Sequence, residues 1–560
     1  MAGDITLGHI HILTAKGRDT HKIASFPALC FYYNKGRLRV QHHILHRVHD
    51  FLPIFWYTSY YSDTNFERSG IVKKTNGGSI LRMVWVGLAV ILQAAWLVVL
   101  NVRLNEYFEV ASTLTSLLAV VVVLKLYSRH TTADMKMPWV MLILVFPVMG
   151  LTLYLMLLVF GDPGGTRKRL AKVRENLPQE VQPVPAGMEW SRGLDCPAYD
   201  GTAAEYFPEA AEAFQRMKED LEKAEKFIFM EYFIVEDGRA FHELEQILTR
   251  KAAEGVEVRL MYDDIGSVGV SNACLVTRLN RAGIRCRVFN PARPVLNLFM
   301  NHRDHRKITV IDGKVGYTGG YNLAGEYFGY TRPHGHWKDT GLRLDGRGVK
   351  GLTRTFLELW NLTAREGNGA EYLEIRHEMP HDGWVLPFGD DPLGRDRKAE
   401  DLYLNLIGSA KERIWFMTPY LIITGELTRA LGLAAKRGVD VRIITPGIPD
   451  KRTVYAVTRS YYNSLTREGV RIFEYTPGFC HAKMCVCDSD TAVVGTSNLD
   501  FRSLYHHFEN DVILYKSSAV TQVAADFEDI FPKCREVDAD RRKKALRVWQ
   551  CILRLFSPMM

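Results

Sequence analysis

The sequence lacks any cysteine pattern that would hold a structural metal or a disulfide framework. Its nine cysteines are scattered and odd in number, and none forms a CxxC pair, so a structural zinc motif and a disulfide-stapled fold are both excluded. Charge of one sign is also scarce, since the net charge is +8 over 560 residues. That charge suits anionic membrane surfaces or polyanions but requires neither. Reduced thiols facing the cytosol are expected.

Long apolar runs are absent from most of the chain, but three lie close together. A bilayer crossing takes roughly 20 apolar residues, and the first and third runs reach that length, whereas the second is shorter. A buried helix remains the alternative for the second run, and the number of crossings is left open. The segment 81–161 is therefore predicted to hold membrane helices at about 83–102, 109–127 and 138–160.

Basic residues follow the third run and predict the orientation of the protein. Positive charge beside a membrane helix marks the cytoplasmic side, so we expect a multi-pass protein of the cell membrane with a cytoplasmic catalytic region. The basic residues are Arg167, Lys168, Arg169, Lys172 and Arg174.

Two further segments carry no fold signal. Residues 1–80 show no sustained helical or strand period, and Met83 opens the first apolar run. This leader is expected to be disordered or absent from the native protein. Residues 162–200 are interpreted as a linker.

Beyond residue 200, helix and strand patterns alternate and then repeat. A strand pattern at 227–235 and a helix-then-strand pattern at 241–267 recur at 413–423 and 427–447. Such alternation predicts βαβ units, and its repetition predicts a duplicated α/β fold. The two halves are placed at 201–375 and 376–560.

Each half carries the same motif, H-x-K-x4-D-x6-G-x2-N. Aligning the two copies selects His305 and discards the neighbouring His302 and Asp304, which have no counterpart in the second half. The motif residues are His305, Lys307, Asp312 and Asn322 in the first copy, and His481, Lys483, Asp488 and Asn498 in the second.

The motif predicts a site for phosphodiester chemistry. His and Lys two apart on a strand point to the same face, so the two copies, brought together, would supply two imidazoles and two ammoniums. One imidazole attacks phosphorus, and the other exchanges protons with the leaving and incoming alcohols. The lysines stabilise the phosphoryl oxygens, so no metal or cofactor is needed. The nucleophile remains open between His305, which is favoured, and His481.

Four acidic residues are given supporting roles. Asp339 and Glu509 follow His305 and His481 by 34 and 28 positions and are proposed to orient them, with surface carboxylates at strand ends as the alternative. Asp312 and Asp488 are expected to hold the motif turns. Two options are open for Arg502: binding a second headgroup, or an ion pair with Asp500.

The paired motifs resemble those of the phospholipase D superfamily. The apolar runs, YDDIGS (262–267), TPYLI (418–422), GTSNLDFRS (495–503) and RLFSPMM (554–560) resemble bacterial cardiolipin synthases over residues 83–560. The resemblance implies phosphatidyl transfer between two phosphatidylglycerol molecules in the membrane, with no cofactor and no nucleic-acid partner. It also maps the active site onto His305, Lys307, Asp312, His481, Lys483 and Asp488. Asn322 and Asn498 are phosphate-binding candidates on the residues themselves, because they follow strand glycines where the backbone can approach a ligand closely.

Two other functions stay open on the residues alone. A phospholipase or nuclease would use the same motif chemistry with water as acceptor. A non-catalytic membrane scaffold is the other alternative, and the intact motifs argue against it. The oligomeric state is not predicted.

Overall fold

The computed structural model describes residues 31–34, 37–40, single positions between 84 and 99, 109–160, 164–178, 184–194, 196–292, 298–366, 369–538, 550 and 553–559. Most of the predicted leader and most of the first predicted span lie outside these ranges. The chain divides into two units, Met1–Leu52 and Pro53–Met560. In the first unit, β1 (Phe31–Asn34) and β2 (Arg37–Val40) form an antiparallel pair.

The apolar segment of the second unit forms helices, but the third predicted span is two helices rather than one. The break falls at Phe146, whose φ of −129° and ψ of 75° lie outside the helical region. The residue before a proline is driven away from helical geometry, and Pro147 follows. The helices are α1 (Glu109–Tyr127), α2 (Ala133–Val145), α3 (Pro147–Phe160) and the basic α4 (Gly164–Asn176).

Large apolar side chains are exposed on α1, α2 and α3. Leu117, Val121, Leu124 and Val145 are each about 60% exposed. Within the described ranges, no helix combines the length and the apolar character needed for a membrane crossing.

The first half contains a seven-stranded sheet in the order β3-β11-β9-β8-β4-β5-β6. The strands β4, β5 and β6 are parallel, and β8 and β9 are antiparallel to their neighbours. The elements are β3 (Thr202–Phe207), α5 (Ala210–Leu221), β4 (Phe227–Tyr232), α6 (Arg239–Ala253), β5 (Glu257–Asp263), α7 (Asn272–Arg281), β6 (Arg285–Phe289), β7 (Arg303–Asp304), β8 (Lys307–Ile311), β9 (Val315–Gly319), β10 (His336–Lys338), β11 (Gly341–Gly346), α8 (Val349–Ala364) and α9 (Ala370–Leu373).

The second half repeats this sheet in the order β12-β21-β19-β18-β13-β15-β16, with β22 added at the edge. The elements are β12 (Trp384–Asp390), α10 (Lys398–Ser409), β13 (Arg413–Met417), β14 (Leu421–Ile422), α11 (Gly425–Lys436), β15 (Asp440–Pro446), α12 (Arg452–Arg467), β16 (Arg471–Tyr475), β17 (Gly478–Cys480), β18 (Met484–Cys487), β19 (Thr491–Gly495), β20 (Leu499–Asp500), α13 (Phe501–Tyr505), β21 (His507–Tyr515), α14 (Ser518–Ile530) and β22 (Cys534–Glu536). The matching strand order confirms the predicted duplicated α/β fold.

The two halves share one hydrophobic core, to which each half contributes an equivalent helix. The amphipathic helix α8 packs its buried Phe356 and Trp360 against its own sheet and also contacts β12 of the other half. Its counterpart α14 contacts β3 of the first half and buries Val523 and Phe527 in the same cluster. Burying each aromatic side chain removes on the order of 150–250 Å² of surface from water, so the two sheets are held as one body.

Candidate active site

The two motif histidines come together because each motif is hydrogen-bonded to a strand of the opposite half. The short β7, just before His305, pairs in parallel with the start of β21. In the same way β17, just before His481, pairs in parallel with β10. The backbone N–H of His305 donates to the Phe508 carbonyl at 2.9 Å, and that of His481 donates to the Lys338 carbonyl at 2.7 Å.

This crossed pairing delivers a carboxylate to each imidazole. Glu509 follows Phe508, and both of its oxygens lie 2.9 Å from Nδ1 of His305. Asp339 follows Lys338, and its Oδ2 lies 2.7 Å from Nδ1 of His481. Because an ionised carboxylate only accepts, Nδ1 of each ring carries the proton. The lone pair of each imidazole is therefore on Nε2.

The sequence placed each carboxylate with the histidine that precedes it in its own half, and that pairing is wrong. Glu509 serves His305 and Asp339 serves His481, so each pair joins two halves. The physical reason is the parallel pairing of β7 with β21 and of β10 with β17. Each pairing brings a motif histidine next to the carboxylate that follows the paired strand residues of the other half.

The two carboxylates are held differently. Oε2 of Glu509 accepts a hydrogen bond from the Thr496 hydroxyl at 2.5 Å. The equivalent residue in the first half is Gly320, where a Cβ would lie 2.1 Å from Oδ1 of Asp339. The absence of a side chain therefore allows the Asp339 carboxylate to approach the backbone. Burial raises the pKa of Asp339 to about 6, and the nearby Lys483 opposes that rise.

Both motif lysines are buried beside the imidazoles. Burial lowers the pKa of Lys307 to about 7, with Glu509 opposing, and lowers that of Lys483 to about 8, with Asp339 opposing. The pKa of both histidines is held well below 6.5, first by burial and then by these lysines. Around neutral pH both imidazoles of the free site are therefore uncharged, whereas the two lysines titrate near this pH.

The lysines contact the two histidines differently. Nζ of Lys483 lies 2.8 Å from Nδ1 and 3.0 Å from Nε2 of His481, so the ammonium sits over the ring. Each lysine also donates to the backbone carbonyl of its own histidine, and for Lys307 this is the contact made with His305. The Nε2 lone pair of His305 has no such contact with its own motif lysine.

The motif aspartates do not belong to this cluster. The Asp312 carboxylate accepts the backbone N–H groups of Glu225, Lys226 and Phe227, at 2.7–2.9 Å. Asp488 accepts those of Lys411, Glu412 and Arg413 in the same way. Each follows its motif strand, at the end opposite the lysine. Their assignment as catalytic residues is therefore corrected to a structural one, which the turn interpretation anticipated.

The two asparagines are partly used by the protein. Asn322 accepts from the Ile234 N–H at 3.1 Å and donates to the Tyr327 hydroxyl at 2.8 Å. Asn498 donates to Asp500 at 3.0 Å, and its buried Oδ1 has no hydrogen-bond partner among the described residues. Each amide keeps one further N–H. Their binding of a substrate phosphate stays a prediction.

Of the two options for Arg502, an ion pair with Asp500 is not among the ion pairs of the described residues, and the binding of a second headgroup stays a prediction. Nε of Arg502 donates to Nε2 of His507 at 3.1 Å, and its Nη1 donates to Oδ1 of Asn301 at 3.1 Å. Asp500 instead caps α13 by accepting from the Ser503 N–H. Through these two hydrogen bonds, Arg502 contacts the part of the site that surrounds His305.

His507 is a third buried imidazole that the sequence did not single out. Its ring centroid lies 5.2 Å from that of His305, and its Nδ1 lies 3.5 Å from Glu509. The equivalent residue beside His481 is Trp337, at 5.6 Å. The signal that could have found His507 is its spacing, since both residues stand two positions before an orienting carboxylate.

His305, His507 and Glu509 together form a set of donors of the kind that binds metals, with ligand atoms within 4.8 Å of one another. The charges around them argue for hydrogen bonding instead. Arg502 donates to Nε2 of His507, and after burial the charge of Lys307 contributes most to lowering the pKa of His305. A divalent cation there would be repelled by both side chains.

Comparisons with known proteins identify the family of the chain. The profile of the family described as "Cardiolipin synthase, PLD-like domain" matches residues 217–356 and 403–531. A second profile, "Phospholipase_D-nuclease N-terminal", matches residues 114–157. These matches cover both halves and part of the apolar segment.

Two relatives and one solved structure are similar to the chain over most of its catalytic region. Cardiolipin synthase 2 of Bacillus anthracis is 39% identical over 355 residues, 62% of this chain and 69% of the relative. Cardiolipin synthase of Halalkalibacterium halodurans is 33% identical over 478 residues, 81% of this chain and 94% of the relative. The crystal structure of a Haemophilus influenzae phosphatidylserine synthase aligns over 67% of this chain and all of that chain, with a TM-score of 0.51 at 14% identity, which supports the fold alone.

Proposed function

The chain belongs to the cardiolipin synthase family of the phospholipase D superfamily, and we propose that it transfers a phosphatidyl group from one phosphatidylglycerol to another, forming cardiolipin and glycerol. The observation that carries this proposal is the crossed pairing of His305 with Glu509 and of His481 with Asp339. It supports a single site in which two oriented imidazoles and two buried lysines act on one phosphodiester.

In the first step, Nε2 of His305 attacks the phosphorus of the donor lipid. A P–N bond forms and the P–O bond to glycerol breaks. The leaving oxygen takes a proton from Nε2 of His481, so glycerol departs neutral. The anionic phosphodiester favours a protonated His481 when it binds, which offsets the low pKa of that imidazole in the free site.

In the second step, the acceptor alcohol replaces glycerol. Its hydroxyl gives a proton to Nε2 of His481, its oxygen attacks phosphorus, and the P–N bond to His305 breaks. The enzyme returns to its starting protonation state. Lys307 and Lys483 stabilise the charge on the non-bridging oxygens in both transition states, so the residues of the site supply the electrostatic stabilisation themselves.

The asymmetry of the site favours His305 as the nucleophile. Its Nδ1 faces both oxygens of Glu509, which strengthens the basicity of Nε2. His481 has the Lys483 ammonium within hydrogen-bond distance of both ring nitrogens, which weakens it as a nucleophile. Asn322 and Asn498 are proposed to donate their remaining N–H groups to the phosphate.

We propose a multi-pass location in the cell membrane, with the catalytic halves on the cytoplasmic side. The exposed apolar side chains of α1, α2 and α3 and the basic residues of α4 support this placement. Helices at about 83–102, 109–127 and 138–160 would carry it, the third kinked at Pro147. This arrangement would hold the site at the level of lipid headgroups, where the substrate is concentrated.

The test is to incubate the full-length protein with phosphatidylglycerol vesicles and to measure lipid products and released glycerol. The proposal predicts one cardiolipin for each glycerol released, with phosphatidic acid a minor product. Phosphatidic acid as the main product would instead assign a phospholipase D-type hydrolase, for which water is the acceptor.

A further inference from the structure

The proposed reaction brings two anionic phosphates into one site, and the motif residues account for only one of them. The acceptor phosphatidylglycerol carries its own phosphodiester on the same glycerol whose hydroxyl attacks. That second phosphate must rest near the imidazoles while the first is held by Lys307 and Lys483. A negative charge placed there without a cation would be repelled by the phosphate that is transferring.

Lys451 is a cation on the His481 side of the site. It immediately precedes α12, and its side chain is 30% exposed. Its Nζ lies 3.5 Å from the Tyr420 hydroxyl and 5.4 Å from the centre of that ring. The Tyr420 ring lies 6.4 Å from Phe479, whose ring lies 5.9 Å from that of His481. A short row of aromatic rings thus links Lys451 to the catalytic imidazole.

The charge of Lys451 reaches both catalytic imidazoles. After burial and the motif lysines, it is a further cause that lowers the pKa of His305 and of His481. The ammonium is therefore within electrostatic reach of both rings, and the row of aromatic rings places it on the His481 side. Its side chain is also 30% exposed, whereas Lys307 and Lys483 are buried.

Arg502, the headgroup candidate that the sequence suggested, is less suited. Its guanidinium donates to His507 and to Asn301, so it is engaged in holding the His305 side. Lys451 is steadied differently. Asp450 lies 3.8 Å from its Nζ, at the long limit of an ion pair, and accepts the Tyr420 hydroxyl at 2.5 Å. This arrangement orients the ammonium.

We propose that Lys451 binds the phosphate of the acceptor phosphatidylglycerol and so selects an acceptor alcohol that carries a phosphodiester. This inference rests on the proposed function and names a subsite within it. With its phosphate on Lys451, the acceptor presents a hydroxyl to His481, the imidazole that takes its proton. An uncharged alcohol such as glycerol gains nothing from Lys451. The subsite therefore acts on the second half-reaction more than on the first.

The experiment compares two reactions of the same full-length protein in phosphatidylglycerol vesicles: cardiolipin formation, and exchange of labelled free glycerol into phosphatidylglycerol. Both pass through the same covalent intermediate, but only the first uses an acceptor with a phosphate. The variants are Lys451→Gln, Lys451→Arg and the control Lys436→Gln. Lys436 is 60% exposed and paired with Glu468, and its variant should leave both reactions unchanged.

Loss of one charge-assisted contact should reduce cardiolipin formation by Lys451→Gln about tenfold or more, and glycerol exchange by much less. Lys451→Arg should keep most of both reactions. An equal loss of both reactions, or no loss of either, would overturn the proposal. So would a parallel loss of vesicle binding by co-sedimentation, which would assign Lys451 to the membrane surface. Failure of the proposed function looks different, because the wild-type protein would then form no cardiolipin at all.

Discussion

His305 and Glu509 lie 204 positions apart in the chain, yet the imidazole Nδ1 is 2.9 Å from both carboxylate oxygens. The mirror relationship joins His481 to Asp339 across 142 positions. Neither motif histidine takes its orienting carboxylate from its own half. The site therefore exists only when the two halves are docked, and its chemistry depends on their shared core.

Replacing Glu509 by Gln keeps the size of the side chain but adds an N–H donor opposite Nδ1 of His305. That donor favours the tautomer with the proton on Nε2, which cannot attack phosphorus. Turnover should fall roughly 100-fold or more, with the fold intact by circular dichroism. The matched control is Glu528→Gln, at a carboxylate that is 62% exposed. Turnover within threefold of wild type would remove Glu509 from the mechanism.

The Thr496 hydroxyl should matter because it donates to Glu509. Thr496→Ala removes that donor, and kcat should fall about tenfold, the effect of one hydrogen bond to a charged group. Thr496→Ser keeps the hydroxyl and should restore most of the rate. The kinetics of both variants on phosphatidylglycerol vesicles provide the check. Equal rates for Ala and Ser would show that the hydroxyl has no part in positioning Glu509.

Asp312 should affect stability rather than chemistry. Asp312→Ala leaves three backbone N–H groups without their acceptor, and should lower the free energy of unfolding by roughly 3 kcal/mol or more. Asp312→Asn keeps one acceptor oxygen and tolerates the positive φ of 54°, so its loss should be smaller. Thermal unfolding in detergent gives the order. A collapse of kcat in a variant that melts like the wild type would return Asp312 to the catalytic residues.

The buried lysines predict that kcat/KM falls at a lower pH than lysines with an ordinary pKa would cause. Both must be protonated to stabilise the phosphoryl oxygens, and burial lowers their pKa from 10.5 to about 7 for Lys307 and about 8 for Lys483. The protonated fraction falls as pH rises through these values, so kcat/KM should decline above about pH 7 to 8. Bound phosphate favours the ammonium forms, so the limb of kcat should lie at higher pH. A flat kcat/KM up to pH 10 would contradict these assignments.

The duplicated fold and the paired motifs could be recognised in the sequence because both depend on patterns among neighbouring residues. The helix and strand periods, and the helix ends before Gly255 and Gly438, depend on neighbouring residues, and the structure follows them. The spacing of His305 and Lys307 fixes them beside one another in the same way.

The crossed carboxylates could not be predicted, because strand pairing across 142 or 204 positions leaves no local signature. The choice between Asp339 and Glu509 as the partner of His305 is made by β7 pairing with β21. His507 escaped notice for a different reason: its counterpart is Trp337, so the comparison of the two copies hid the position. The break at Phe146 was readable from Pro147, but the uniformly apolar sequence on both sides masked it.

The central claim is that one phosphorus lies between His305 and His481, and a structure of the protein with bound vanadate tests it most directly. The account predicts a single vanadium bonded to Nε2 of His305, with Nε2 of His481 in hydrogen-bond contact with the apical oxygen on the opposite side and both motif lysines at the equatorial oxygens. Vanadate held by one motif alone, or imidazoles more than roughly 10 Å apart, would contradict it.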